Sequence, residues 1–244
     1  MGRHNLKFGA AIATVASLFA IAGGAVAHAD TFSYTISNHN LTGYPVGSEV
    51  FTFNSDTIGV APTTETSTPA GVTATFTGGN ATVEKKSVKD LYLKPKGDKS
   101  KYLVVSYPNS SGTETVKLSG GPYKNFGLYW GSIDTYNTIT FLGAGGTPIT
   151  GGSFTGTTFL NELALLGKDS TSGSNGTSSY VEFTDSSGAN ITGVEFSTSQ
   201  PAFEADNLSV AGGVPEPATW AMMLIGFGLV GLQLRRRTVK EVTC

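Results

Sequence analysis

Short runs of β-branched and aromatic residues, cut at near-regular intervals by Gly, Ser, Asn and Thr, leave most of this chain one way to fold. Thr31–Ile36, Glu49–Phe53, Val72–Phe76, Tyr102–Ser106, Thr113–Leu118 and Tyr180–Thr184 are such runs, and several alternate with the period of two that puts one face of a strand in a core. Asn109–Gly112 predicts a reversal between Tyr102–Tyr107 and Thr113–Leu118, and Ser186–Asn190 another between Tyr180–Thr184 and Ile191–Ser197. Only 14% of the 244 residues are charged, against about 25% in an average soluble domain, and 32 are Gly. This combination predicts an all-β body, an antiparallel β-sandwich rather than an α/β layer fold. One segment departs from the pattern. Phe159, Leu160, Leu163 and Leu166 recur at helical spacing after Thr158, a candidate N-cap, so one short helix is expected to end near Gly167. Residues 61–69 and 170–179 have the composition of mobile loops.

The two ends have a different character. Met1–Lys7 is short and basic, Phe8–Val26 is largely apolar, and Ala27-His28-Ala29 precedes Asp30. Small residues at Ala27 and Ala29 after such a run make 1–29 a secretory signal peptide, and the body is expected to leave the cytoplasm through a secretion translocon. At the other end, Pro215-Glu216-Pro217 and Trp220-Ala221 lead into an apolar stretch, Ala218–Leu234, with Arg235-Arg236-Arg237 directly behind it. Its 17 residues are the lower limit for a helix crossing a hydrocarbon core of about 30 Å. Trp220 suits one membrane interface, and the triple Arg satisfies the positive-inside rule at the other. A transmembrane helix this marginal suits a tail held only until a protease removes it.

In their order, the Pro-Glu-Pro tripeptide, Trp-Ala pair, Gly-rich stretch and Arg cluster resemble the PEP-CTERM sorting signal, in the variant where Trp-Ala follows the tripeptide. The resemblance implies a protein of a Gram-negative bacterium, held transiently in the inner membrane and processed near Pro215–Pro217 by an exosortase-type membrane cysteine protease. It also implies delivery to the cell surface or extracellular matrix and association with exopolysaccharide and biofilm. The expected organisation is a signal peptide at 1–29, a sandwich body at 30–213 and a sorting signal at 214–244.

Removing both ends changes the electrostatics. The whole chain has a net charge of -2, whereas residues 30–213 hold ten Lys, no Arg and sixteen Asp or Glu, a net of -6. That balance offers no footprint for nucleic acid. Seven of the ten Lys lie between Lys85 and Lys101, alternating with Val88, Leu91, Leu93 and Tyr102. The segment reads as a solvated strand guarded against edge-to-edge pairing, or as a contact patch for acidic polysaccharide. The single Cys244 goes with the tail, so the exported body has no thiol nucleophile, no disulfide and no Cys-based zinc site.

The most distinctive stretch of the body is Asn125-Phe-Gly-Leu-Tyr-Trp-Gly-Ser-Ile-Asp-Thr-Tyr-Asn-Thr-Ile-Thr-Phe141. An aromatic face among small residues is what the C–H face of a pyranose packs against. Tyr129 and Trp130 are therefore a candidate stacking platform, with Asp134 and Asn137 as fixed polar contacts for a carbohydrate. The competing reading puts Trp130 in the core and has Asp134 and Asn137 pin a turn through local hydrogen bonds. The stretch is similar to the Phe-Gly-x-x-Trp-Gly-Ser-x-Asp-x-Tyr-Asn-x-x-x-Phe signature of one family of exosortase-dependent surface proteins, whose later segments also resemble Ser179–Phe183 and Ala202–Val210. That family is named for its sorting, and the resemblance implies no activity.

Phe203–Val210 also resembles the closing strand of jelly-roll carbohydrate-binding modules, where an Asp in a similar position ligates a structural calcium. The resemblance implies a jelly-roll-like sandwich and makes Asp206 a candidate calcium ligand, with Glu204 and Asn207 as oxygen donors nearby. Those three cannot all point one way along a strand, and calcium takes six to eight oxygens, so other ligands have to come from elsewhere.

Catalytic side chains are sparse. His39 is the one histidine of the body, and no Gly-x-Ser-x-Gly, His-Glu-x-x-His or phosphate-binding loop occurs. Only a carboxylate-pair glycosidase survives, because it needs two Asp or Glu about 5–10 Å apart and nothing else. The expectation is a non-enzymatic structural or adhesive protein without a catalytic residue. A carbohydrate-binding module is the alternative, and a glycosidase stands behind it.

Overall fold

The computed structural model describes residues 32–69, 71–188, 190–212, 225–231 and 233. The chain separates into two compact units, Met1–Gly213 and Val214–Cys244. Among the described residues of the first unit the strands, in chain order, are β1 (Phe32–Asn38), β2 (Glu49–Phe51), β3 (Thr64–Thr66), β4 (Thr73–Thr77), β5 (Ala81–Glu84), β6 (Tyr102–Val105) and β7 (Gly112–Leu118). They continue as β8 (Asn125–Trp130), β9 (Asn137–Leu142), β10 (Pro148–Thr155), β11 (Ser179–Asp185), β12 (Gly193–Thr198) and β13 (Phe203–Ala211), with one helix, α1 (Gly156–Leu165), after β10. One sheet runs β1-β11-β8-β13-β6-β5, with β2 also paired to β13, and the other runs β10-β9-β12-β7-β4-β3. Every pairing is antiparallel. The body is the all-β sandwich that the strand pattern predicts.

Alternation along the strands decides which side chains meet between the sheets. Phe126, Leu128 and Trp130 of β8, Val181 and Phe183 of β11, and Phe203 and Ala205 of β13 join Ile139, Phe141, Val194 and Phe196 of the second sheet in one continuous core. Apolar burial of this kind contributes about 1.5–3 kcal/mol for each large side chain. The alternate residues of the first sheet are buried as well. Tyr102 and Val104 form a second apolar cluster with Tyr92 and Ala202, while Tyr129, Glu204 and Asp206 have almost no exposure. A sheet buried on both faces needs a cover over the face turned away from the core, and loops supply it.

Residues 85–101 are part of that cover. Val88 and Tyr92 pair in an isolated bridge, and no strand forms between Glu84 and Tyr102, so the lysine-rich segment is a loop and not the solvated strand its alternation predicts. The alternation has another cause: Tyr92 and Pro95 are buried while Lys85, Lys86, Lys89, Lys96 and Lys99 are exposed. Both predicted reversals also differ from simple hairpins. β6 lies in the first sheet and β7 in the second, as do β11 and β12 respectively, so each link crosses between sheets. Leu103 and Val105 face the same core as Val116 and Leu118 instead of lying beside them in a ladder.

The helix begins three residues earlier than Thr158 suggests, with Thr155 at the N-cap and Leu166 at the C-cap, and it buries Phe159, Leu160 and Leu163. The loop at 61–69 contains edge strand β3. The loop at 170–179 is tied down: Asp169 accepts from Ser174 Oγ at 2.5 Å, and Asn175 Nδ2 donates to the Lys94 carbonyl at 2.6 Å. In the second unit, residues 225–231 and 233 are helical with Ile225, Phe227, Leu229 and Val230 exposed. Among the described residues no helix is long and apolar enough to cross a membrane, and most of the expected span Ala218–Leu234 lies outside them.

Candidate functional site

The stretch 125–141 becomes β8, a six-residue connection and β9. Tyr129 and Trp130 are both fully buried, which removes the stacking platform: neither ring offers a face to a ligand. Trp130 points between the sheets, stacked on Phe203 at 4.7 Å and edge-on to Phe159 at 5.1 Å. Tyr129 points the other way, where its hydroxyl donates to the Lys96 carbonyl at 2.6 Å and fastens the lysine-rich loop to the sheet. Asn137 is also enclosed, and its side-chain amide has no hydrogen-bond partner among the described residues, so it does not pin a turn through that side chain.

Asp134 has a different setting. The connection after Trp130 borders an open cleft of about 350 Å³ whose floor includes Ser132, Asp134 and Glu204. Gly131 makes this possible, because a Cβ there would come within 2.7 Å of Pro95 and 3.0 Å of Glu204. Ser132 Oγ donates to Glu204 Oε2 at 2.7 Å, and the Leu93 amide donates to Oε1 at 3.1 Å. Both Glu204 oxygens are thus held by the two segments that flank the cleft. Asp134 Oδ1 accepts from Ser172 Oγ at 3.1 Å, and Gly173, at φ +71°, leaves room for that carboxylate. Tyr136 donates to the Pro201 carbonyl at 2.9 Å across the mouth. Tyr92, Leu91 and Lys89 of the lysine-rich loop line the opposite side.

Burial dominates the electrostatics here. It pushes the Glu204 carboxyl up to about 8, against the lowering effect of the bonds from Ser132 and Leu93, with the nearby Asp134 charge adding to the rise. Asp134 is also raised by burial, and the neighbouring Tyr136 hydroxyl and the bond from Ser172 restrain the shift. The Tyr136 hydroxyl rises for the same reason, followed by the charge of Asp134. The arrangement provides a fixed polar floor, a tyrosine at the mouth and one lysine at the rim.

A second acidic pair lies on the same face of the sheet. Asp206 does not converge with Glu204 and Asn207: Glu204 is held at the cleft, and Asn207 Nδ2 donates to the Leu41 carbonyl at 2.9 Å. Its neighbours are Asp98 and Ser100 of the lysine-rich loop. Ser100 Oγ hydrogen-bonds Asp98 Oδ1 and also Asp206 Oδ2, the latter at 2.9 Å. Asp98 Oδ2 and Asp206 Oδ1 are buried and bonded by no other group, and the two carboxyls hydrogen-bond each other. Burial, then the Asp98 charge, raises the Asp206 carboxyl. Among the described residues no group of three or more His, Cys, Asp or Glu is placed to hold a metal ion. Two carboxylates and a hydroxyl match the hard oxygen donors that calcium takes and leave its remaining positions to water or backbone.

Sequence reasoning named Asp134 but missed the role of Ser132, Tyr136 and Tyr92. The polar half of the motif carried the signal, with Ser, Asp and Tyr at every second position after Gly131; the aromatic pair drew attention away from it. His39 is exposed, and its Nε2 donates to the Gly176 carbonyl at 2.8 Å.

The processing residues Pro215, Glu216, Pro217, Trp220, Ala221 and Arg235–Arg237 lie outside the described residues, as do Ala27 and Ala29. Residues 213–237 match the family model of the PEP-CTERM protein-sorting motif. The chain carries a PEP-CTERM sorting motif. That motif indicates a protein secreted, held at the membrane for sorting and processed by an exosortase before display at the surface. No curated protein matches the chain.

Proposed function

We propose that the mature protein is a non-enzymatic structural or adhesive component of the cell surface or extracellular matrix in a Gram-negative host, associated with exopolysaccharide. The observation that carries the reading is the PEP-CTERM match at residues 213–237, after a body folded as a two-sheet sandwich. The body has no cysteine. Its stability outside the cell therefore owes nothing to disulfides and rests on two-sided burial of one sheet. Replacing both Pro215 and Pro217 by Ala is expected to leave the chain at its unprocessed size in the inner-membrane fraction. Normal processing and normal release to the surface in that variant would contradict the sorting reading.

We propose further that the pair Asp98 and Asp206, with Ser100, holds a structural calcium that fastens the lysine-rich loop to β13. Two buried carboxyls facing each other with no other group bonded to Asp98 Oδ2 or Asp206 Oδ1 support this, since such a pair requires an ion or a shared proton between them. Calcium added to the chelator-treated chain is expected to raise its melting temperature. No rise, or an equal rise in an Asp98→Asn/Asp206→Asn variant, removes the ion from the account.

A further inference from the structure

We propose that the cleft bordered by Ser132, Asp134 and Glu204 is a binding site for one pyranose residue of a neutral glycan. Its size is the first argument. At about 350 Å³ it falls at the small end of ligand pockets and admits a single ring rather than a chain segment. The second is the mixture of groups that line it. Asp134 accepts hydrogen bonds and has lone pairs beyond the one given to Ser172. The Lys89 ammonium donates from the rim, and the Tyr136 hydroxyl, which donates to Pro201, can still accept. A sugar hydroxyl is both donor and acceptor and can use all three. Leu91, Tyr92 and Pro201 supply the apolar walls that the C–H faces of such a ring require.

Charge selects the class of sugar. Lys89 and Asp90 offset each other at the rim, and burial keeps Glu204 protonated near neutral pH, so Asp134 is the main fixed charge on the floor. An anionic sugar would meet that carboxylate in a partly desolvated cleft and be repelled. The site is rigid for its purpose: Gly131 and Gly173 let the walls close in, and Ser132 and Leu93 lock Glu204 from two sides. It uses the polar residues of the 125–141 stretch and neither of its buried aromatic rings.

The test is calorimetric titration of the full-length chain, in a detergent without a sugar headgroup, with tetrasaccharides of β-1,4-glucan, α-1,4-glucan and β-1,4-mannan. A galacturonate tetramer is the charged comparator. Saturable binding of at least one neutral tetrasaccharide in preference to the galacturonate tetramer is expected. Asp134→Asn should weaken it about tenfold, the size of one hydrogen bond to a charged group. Leu91→Trp, a change at an exposed rim position that leaves the core intact, should also weaken it about tenfold by narrowing the mouth. Trp130→Phe should bind as the parent does. Absence of binding to all neutral probes, preference for the galacturonate tetramer, or affinity within about twofold of the parent in both cleft variants would overturn the assignment.

Discussion

Trp130 is the residue on which the sequence left two incompatible readings open, and its substitution separates them quantitatively. In Trp130→Ala a fully buried ring is lost together with its stacked contact to Phe203 and its edge contact to Phe159. Truncation of a buried aromatic costs about 3–5 kcal/mol, of which each ring pair accounts for about 0.5–1.5 kcal/mol. For a folded unit of about 150–250 residues each kcal/mol moves the melting temperature by about 2–4 °C, so a fall of about 6–20 °C follows. Trp130→Phe tests the same geometry from the other side. The indole Nε1 is buried without a hydrogen-bond partner, so Phe removes a polar atom whose burial costs about 1–3 kcal/mol. The smaller ring gives up packing of comparable size, and the net change should lie within about 1 kcal/mol of zero. Thermal unfolding of the full chain followed by circular dichroism reads both. A fall of less than about 3 °C in Trp130→Ala would refute the placement of the ring in the core.

Stability should fall as pH rises from about 5 to about 8, because the native state keeps a proton on Glu204 that the unfolded chain releases near its ordinary value of 4.5. The stabilisation is complete below the unfolded value and is lost through the native one, with a slope of at most about 1.4 kcal/mol per pH unit from this group. Glu204→Gln, whose amide can accept from Leu93 and donate to Ser132, should flatten that part of the melting-temperature profile; an unchanged slope would count against a buried acid at this position. If calcium occupies the Asp98–Asp206 pair, a concentration of about one hundred times Kd should add about 2.7 kcal/mol, read as a rise of about 5–11 °C that the double Asn variant lacks. Gly131→Val should drive its Cβ into Pro95 and Glu204 and weaken glycan binding by distorting the cleft, measurable by the same titration.

Several strands were legible to within about two residues because β-branched and aromatic runs bounded by turn formers carry a local signal. β5 and β10 were not. Ala81–Glu84 alternates but is only four residues long and runs straight into Lys85-Lys86, and Pro148–Thr155 contains two glycines and a register shift against β9. The lysine-rich segment misled for the reverse reason: Lys alternates with apolar residues whenever a chain is covered on one side, whether it pairs as a strand or not. At the site, Asp134 was found from the motif, but its working partners Glu204, Tyr92 and Ser172 come from positions dozens of residues away, and no local pattern joins them.

By itself the sequence determined the class of the body, its freedom from thiols and the address at its C-terminal end, since each of these follows from composition or from a contiguous motif. Only the tertiary structure decided which way the residues of 125–141 point. A strand offers its side chains to alternate faces, and residues 85–101 and 170–178 fold over one of those faces. That covering turned Tyr129 from a candidate ligand contact into a buried tether. It also left Asp134 at the edge of the cover, where a cleft remains.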